Sequence, residues 1–213
     1  MNFGIAVASA IDSWKHVKRA EELGFSSSWF YDTQLLNPDI FICMALAAEK
    51  TSRIRLGTGV LIPSNRIEPV TANALATLNR IAPGRVDFGV GTGFTARRTM
   101  GLKAIPLRTM KRYIERVQEL LRGNLIEWDF ESENRKISFL NPEYGLINLE
   151  DPIDLHISAM GPKSRRLVAE VGAGWLNFGS DLESLIRDAQ DLKAHWQSLQ
   201  GVQVEMKIRS VNL

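Results

Sequence analysis

Short β-branched segments alternate along this chain with helical stretches of one to five turns, and that alternation restricts the fold more than any other feature. A strand, a helix and a further strand return the chain parallel to itself, so the pattern implies βα units rather than hairpins. Seven strands are expected, at Phe3–Ala8, Ser28–Tyr31, Ile54–Val60, Val86–Gly91, Asp154–Ala159, Trp175–Phe178 and Val204–Val211. Helix signals fall between them. Asp12 or Ser13 is placed to cap the first helix, Pro69 and Pro162 suit first turns, and Ser180 with Glu183 reads as a capping box. Gly24, Pro83-Gly84, Gly123 and Gly172 supply the stops. Leu107, Met110, Ile114, Val117 and Leu121 recur at three- and four-residue steps, which puts one helix face on a sheet. The stretch from Ile40 to Lys50 is apolar nearly all round. A barrel exterior needs only one apolar face, so the excess implies burial against a second copy, a homodimer. Residues 124–152 break the alternation and read as an irregular excursion with a small hairpin beside the ligand-binding end.

Strict alternation admits an open doubly wound sheet or a (β/α) barrel. The turn after the first strand, Ala8-Ser9-Ala10-Ile11-Asp12, contains no glycine, so the dinucleotide-binding fingerprint is missing where a doubly wound fold would carry it. A closed barrel takes eight strands and about 250 residues. The 213 residues end as a seventh strand finishes. The expectation is therefore an α/β fold of one domain, residues 1–213, forming an incomplete TIM-type barrel that lacks the last C-terminal βα unit. Unpaired edges would then lie on the first and seventh strands. Two readings of the length stay open, a piece of a longer reading frame or a short natural form whose gap is covered by dimerising.

Composition narrows the partners. Hydrophobic residues make up 45% of the chain, charged ones 23%, and the net charge of +2 is spread out, the densest basic pairs being Arg97-Arg98 and Arg165-Arg166. Neither a nucleic acid nor a membrane is called for. The single cysteine, Cys43, lies in an apolar run and reads as a buried structural thiol. The N-terminal segment lacks the basic-then-apolar pattern of a signal peptide, and a reducing cytoplasm is the expected location. No metal site is expected. The three histidines, His16, His156 and His195, read as structural or surface residues.

In either parallel architecture ligands sit at the carboxyl ends of the strands. Asp32-Thr33-Gln34 follows the second strand, Gly57-Thr58-Gly59-Val60 closes the third, Gly91-Thr92-Gly93-Phe94 the fourth, and Ala159-Met160-Gly161-Pro162-Lys163-Ser164 the fifth. Glycines at three successive strand ends would let backbone approach a flat ligand closely. The fifth end is the best anion site, because a helix opening at Gly161-Pro162 presents unpaired backbone N–H groups and its positive terminus, with Lys163 and Ser164 beside them. Pro162 donates nothing, which leaves the amides of Gly161, Lys163 and Ser164 as donors.

Three strings in order, LGTGVLIPSNRIEPVTANALATLNRIAPGRVDFGVGTG, MGLKAIPLRTMKRYIERVQELLRGN and ISAMGPKSRRLVAEVGAGW, resemble the luciferase-like monooxygenase superfamily. That superfamily holds flavin-dependent monooxygenases and deazaflavin-dependent reductases on a (β/α) barrel. The resemblance implies a cofactor across the barrel mouth, with Ala159, Met160, Gly161, Pro162, Lys163 and Ser164 at the phosphate. It places Thr92, Gly93 and Phe94 at the phosphate or ribityl chain, and Thr58, Gly59 and Val60 behind the ring, near a non-prolyl cis peptide. Asp32 matches an acidic residue near the redox-active edge, and Gln34 would orient a small-molecule substrate; these two are the candidate catalytic residues. Many members carry histidine beside that acid, whereas Thr33 and Gln34 stand here, so imidazole base chemistry is not available at this position. On that ground FMN is the preferred cofactor, with a monooxygenase reaction and a partner reductase supplying reduced flavin. The alternatives are a deazaflavin-dependent reductase or dehydrogenase and a non-catalytic, vestigial flavin binder.

Overall fold

The computed structural model describes residues 3–178, 181–200 and 206–210. Seven strands form one sheet: β1 (Gly4–Val7), β2 (Ser27–Phe30), β3 (Arg55–Thr58), β4 (Val86–Val90), β7 (Asp154–Ser158), β8 (Gly174–Asn177) and β9 (Ile208–Ser210), hydrogen-bonded in that order. Every pairing is parallel. A doubly wound sheet reverses its strand order at a switch point. This order never reverses, so the sheet is singly wound and curls as part of a barrel. Of the expected seventh strand, Val204–Val211, the residues Val204, Glu205 and Val211 lie outside the described residues.

Helices α1 (Trp14–Glu22), α2 (Ile40–Lys50), α3 (Glu68–Ile81), α5 (Leu107–Leu121), α6 (Pro162–Glu170) and α7 (Leu182–Gln200) pack side by side along the sheet, each against the next. The core lies between them and the outward side chains of the strands, among them Phe30, Leu56, Phe88 and Ile157. On α5 the expected face is buried through Met110, Ile114 and Val117, and Tyr113 joins it. Each such side chain contributes about 1.5–3 kcal/mol by leaving water. Turns end where glycine was read as a stop: Gly24, Gly84, Gly123 and Gly172 all take positive φ.

Several local expectations are corrected. Ser13 does not cap α1 through its side chain; its hydroxyl donates to the Ala10 carbonyl at 2.7 Å. Ser180 lies outside the described residues; at the start of α7 the Ser184 amide donates to Asp181 Oδ2 at 3.0 Å. A short helix, α4 (Phe94–Thr99), occupies a stretch with no apolar period to announce it. The excursion does contain a hairpin, β5 (Ile126–Phe130) with β6 (Glu133–Ile137), pinned to α3 and α5 by Trp128 Nε1 donating to Glu68 at 3.1 Å and by Arg116 pairing with Asp129 at 2.8 Å. Helix α2 spends most of its apolar surface inside the chain, burying Ile40, Cys43, Met44, Ala47 and Ala48 between α1 and α3, while Ile42 stays 58% exposed. Among the described residues no helix is long and apolar enough to cross a membrane.

Charges hold the amino-terminal end of the sheet. Arg55 on β3 grips the buried Asp87 of β4 through two bonds of 2.9 and 2.7 Å and lies 3.6 Å from Asp154 of β7, which Lys207 reaches at 2.5 Å. The bond to Asp87 raises the Arg55 pKa. Burial pushes Asp154 upward, but the Lys207 bond and the nearby positive charges outweigh it, so its pKa falls below the ordinary 3.8. A depressed carboxylate stabilises the fold above its unfolded pKa and loses that contribution as pH drops through the folded one. Thermal stability should therefore decline below about pH 4 in wild type, and Asp154→Asn should flatten that decline, with a loss at neutral pH of only about 1 kcal/mol because the group is partly exposed. Asp87→Ala, which leaves Arg55 without its buried partner, should cost about 3 kcal/mol. Circular-dichroism melts from pH 7 to pH 3 measure all three.

Candidate active site

The carboxyl ends of β2, β3, β4 and β7 converge on one mouth. Asp32, two residues past β2, is 3% exposed and accepts three groups: the Ile62 amide at 3.1 Å, Gln34 Nε2 at 2.7 Å and Arg66 Nη1 at 3.3 Å. Gln34 in turn accepts from Asn65, and Arg66 also pairs with Asp39 and lies 5.1 Å from the Phe41 ring centre. Burial works against the Arg66 charge; Asp32 and Asp39 overcome it and raise its pKa. Both residues proposed to act on substrate are thus engaged by protein partners that reading the chain did not identify, Asn65 and Arg66. The signal was present in Ser64-Asn65-Arg66 behind Pro63, a polar cluster directly after a strand-end turn.

Thr58 and Gly59 are buried and Val60 is half-buried beside that network, and the Gly59–Val60 peptide is cis. The Thr58 hydroxyl donates to the Gly89 carbonyl at 2.6 Å and accepts from the Gly89 amide at 2.9 Å, so it is committed to β4. The inner glycines serve packing. A Cβ on Gly57 would stand 2.5 Å from Trp29, on Gly89 2.0 Å from the Thr58 carbonyl, and on Gly91 2.6 Å from Val60. Trp29 uses the room above Gly57 to meet His156 edge to face at 5.1 Å, which places His156 on the inner face of the sheet. The strand-end glycines of β3 and β4 therefore admit neighbouring protein, where a flat ligand was expected to need them.

Gly161 differs. A Cβ there would meet nothing within 4 Å, and its extended backbone, φ −107° and ψ 162°, accepts any residue. It sits before α6 with Pro162 in the first turn. The Ser164 hydroxyl donates to the Gly161 carbonyl at 2.8 Å and accepts from the Gly161 amide at 3.2 Å, so two of the expected anion donors satisfy each other. The Lys163 amide keeps its first-turn position without an intrahelical acceptor. Ala159 is buried, Met160 and Lys163 are exposed, and Arg165 ties the Met160 carbonyl at 2.9 Å to Asp188 of α7 at 3.0 Å. Thr92 and Gly93 line the mouth between β4 and α4, Gly93 with φ of +80°; Phe94 turns outward, 62% exposed, under the Arg98 guanidinium at 4.1 Å. An open backbone position at a helix start and strand end fits a phosphate-bearing ring cofactor of the kind the resemblance implies.

The family model described as luciferase-like monooxygenase matches residues 9–200. The chain belongs to that family. It is 31% identical over 184 residues to the 5,10-methylenetetrahydromethanopterin reductase of Archaeoglobus fulgidus, covering 83% of this chain and 52% of the relative. It is 33% identical over 183 residues to the F420-dependent glucose-6-phosphate dehydrogenase of Kineococcus radiotolerans, covering 78% and 52%. The structure of the coenzyme F420 dependent tetrahydromethanopterin reductase from Methanopyrus kandleri superposes with a TM-score of 0.81 at 21% identity over 99% of this chain and 65% of that one, which shows the shared fold. This luciferase-like chain spans about half the length of the curated relatives it matches.

Asp32 and Arg66 have side-chain exposures of 1% and 13%, so breaking the pair strands a buried charge. Arg66→Ala should cost about 3 kcal/mol in urea unfolding, and Arg66→Lys should recover part of it. An unchanged midpoint for Arg66→Ala would show that Asp32 does not need the guanidinium.

Proposed function

We propose that this luciferase-like protein is a deazaflavin-dependent oxidoreductase that holds coenzyme F420 at the barrel mouth. The open position at Gly161, at the start of α6, is the observation that carries the binding site. The relatives named as F420-dependent glucose-6-phosphate dehydrogenases, that of Kineococcus radiotolerans at 33% identity, favour the deazaflavin over FMN. They outweigh the preference for an oxygen-using FMN enzyme, which rested on Thr33 and Gln34 in place of histidine. The cofactor, when bound, supplies hydride transfer. The protein's part is to receive its phosphate at the Lys163 amide beside the open Gly161 position, to back its ring with Thr58, Gly59 and Val60, and to hold Asp32 and Gln34 fixed at the mouth through Arg66 and Asn65.

Assembly as a homodimer belongs to the same proposal. Ile42 on α2 and Val70 on α3, 58% and 49% exposed on neighbouring helices, are apolar surface for a second copy to cover. Sedimentation of the purified chain should give a dimer that Ile42→Glu weakens; a monomer at micromolar concentration would remove this part.

Fluorescence titrations with F420 and with FMN test the cofactor. Saturable binding of F420 at least tenfold tighter than FMN is expected, and Gly161→Leu, which the fold accommodates, should weaken it at least tenfold while leaving the melting temperature unchanged. Tighter binding of FMN would return the protein to the monooxygenase reading. Binding of neither by a folded sample would leave a vestigial barrel.

A further inference from the structure

Between Asp87 and Glu115 the chain contains six cations, Arg97, Arg98, Lys103, Arg108, Lys111 and Arg112, and no carboxylate. Elsewhere Arg55, Arg66, Arg116 and Arg165 are each matched with an acid. Lys111 pairs with Glu170 at 3.0 Å. Arg97, Arg98, Lys103 and Arg108 make no ion pair with a carboxylate among the described residues. Two of these four, Arg98 and Lys103, line a cavity of about 430 Å³ together with Phe94, Gly101, Leu102 and Ala104.

The cavity has a fixed frame. Leu102 N donates to the Arg97 carbonyl at 2.9 Å, the Arg97 side chain holds the Lys103 carbonyl, Ile105 N donates to the Thr92 carbonyl at 3.0 Å, and Thr99 Oγ1 donates to the Gln34 carbonyl at 3.1 Å. The last two bonds hang it on the rim of the mouth. Within it, the Arg98 guanidinium carbon lies 4.1 Å from the Phe94 ring centre. Among the described residues no acceptor engages the Arg98 N–H groups, which leaves them for a bidentate partner beside the ring contact. Phe94, Leu102 and Ala104 offer apolar wall beside that fork, and Lys103 adds a second positive charge.

We propose that this rim cavity is an anion-recognition subsite, taking a carboxylate or phosphate group carried on a ring or other apolar body, with Arg98 as the bidentate donor, Lys103 as the second charge and Phe94 and Leu102 as the apolar wall. It extends the mouth described above and deepens the proposed function by specifying an acidic group on the molecule that docks there; it does not depend on which cofactor binds.

Calorimetric titration of the cofactor-free chain with phenyl phosphate, 3-phenylpropionate and neutral benzyl alcohol tests it. One or both anions should bind saturably, with the tighter one identifying phosphate or carboxylate as the group, and benzyl alcohol should bind at least tenfold more weakly. Arg98→Gln should weaken the anion at least fivefold, Lys103→Gln about threefold, and Gly161→Leu should leave it unchanged, which separates this subsite from the phosphate position at α6. Anion binding that survives Arg98→Gln, that vanishes with Gly161→Leu, or that is absent from a folded wild-type sample overturns the assignment. Failure of F420 to bind would strike the cofactor reading and leave these titrations unaffected.

Discussion

A carboxylate removed from water at the end of a strand has to be matched, and the matching of Asp32 organises the whole mouth. Its acceptors reach the Ile62 amide after the β3 turn, the Gln34 side chain after β2 and the Arg66 guanidinium before α3. Arg66 carries the link onward to Asp39, whose other oxygen caps α2 by accepting from the Phe41 and Ile42 amides. One buried charge pair thus fixes two strand ends and the entry to a helix. Because an unpaired buried charge is far more costly than a paired one, the network holds as a unit or not at all.

The strands, their parallel order and the α5 face were legible because they follow from local runs, their alternation and one helical period. Short β-branched runs between helical stretches need no knowledge of neighbours, so β1 to β4, β7 and β8 stand within two residues of their expected bounds, and the packing face of α5 follows from its 3.6-residue period. The hairpin β5–β6 was readable for the same reason. What failed depended on tertiary partners. Six residues are too few to show a helical period, which hid α4, and Ser13 spends its hydroxyl on the Ala10 carbonyl instead of a cap.

The glycines carry the sharper lesson. Gly57, Gly89, Gly91 and Gly161 look alike in the sequence, each at a strand end or near one. Three of them are small because Trp29, the Thr58 carbonyl or the Val60 side chain already fills the space, and only the fourth faces open room. Residue type states that a Cβ is missing and is silent about what stands in its place. The same limit applies to Asp32 and Gln34, whose chemistry was visible but whose partners, 30 or more residues away, were not.

The bond from Ile105 to Thr92 brings together the two ends of the segment that carries α4 and its cavity. A segment whose ends already meet can change length or content without asking the sheet to move, since closing a somewhat longer loop costs little extra entropy. The rim is in that sense a cassette. Selection on what the protein accepts could act by rewriting residues 93–104 while β3 and β4, locked to each other by the Thr58 hydroxyl and Gly89, stay as they are.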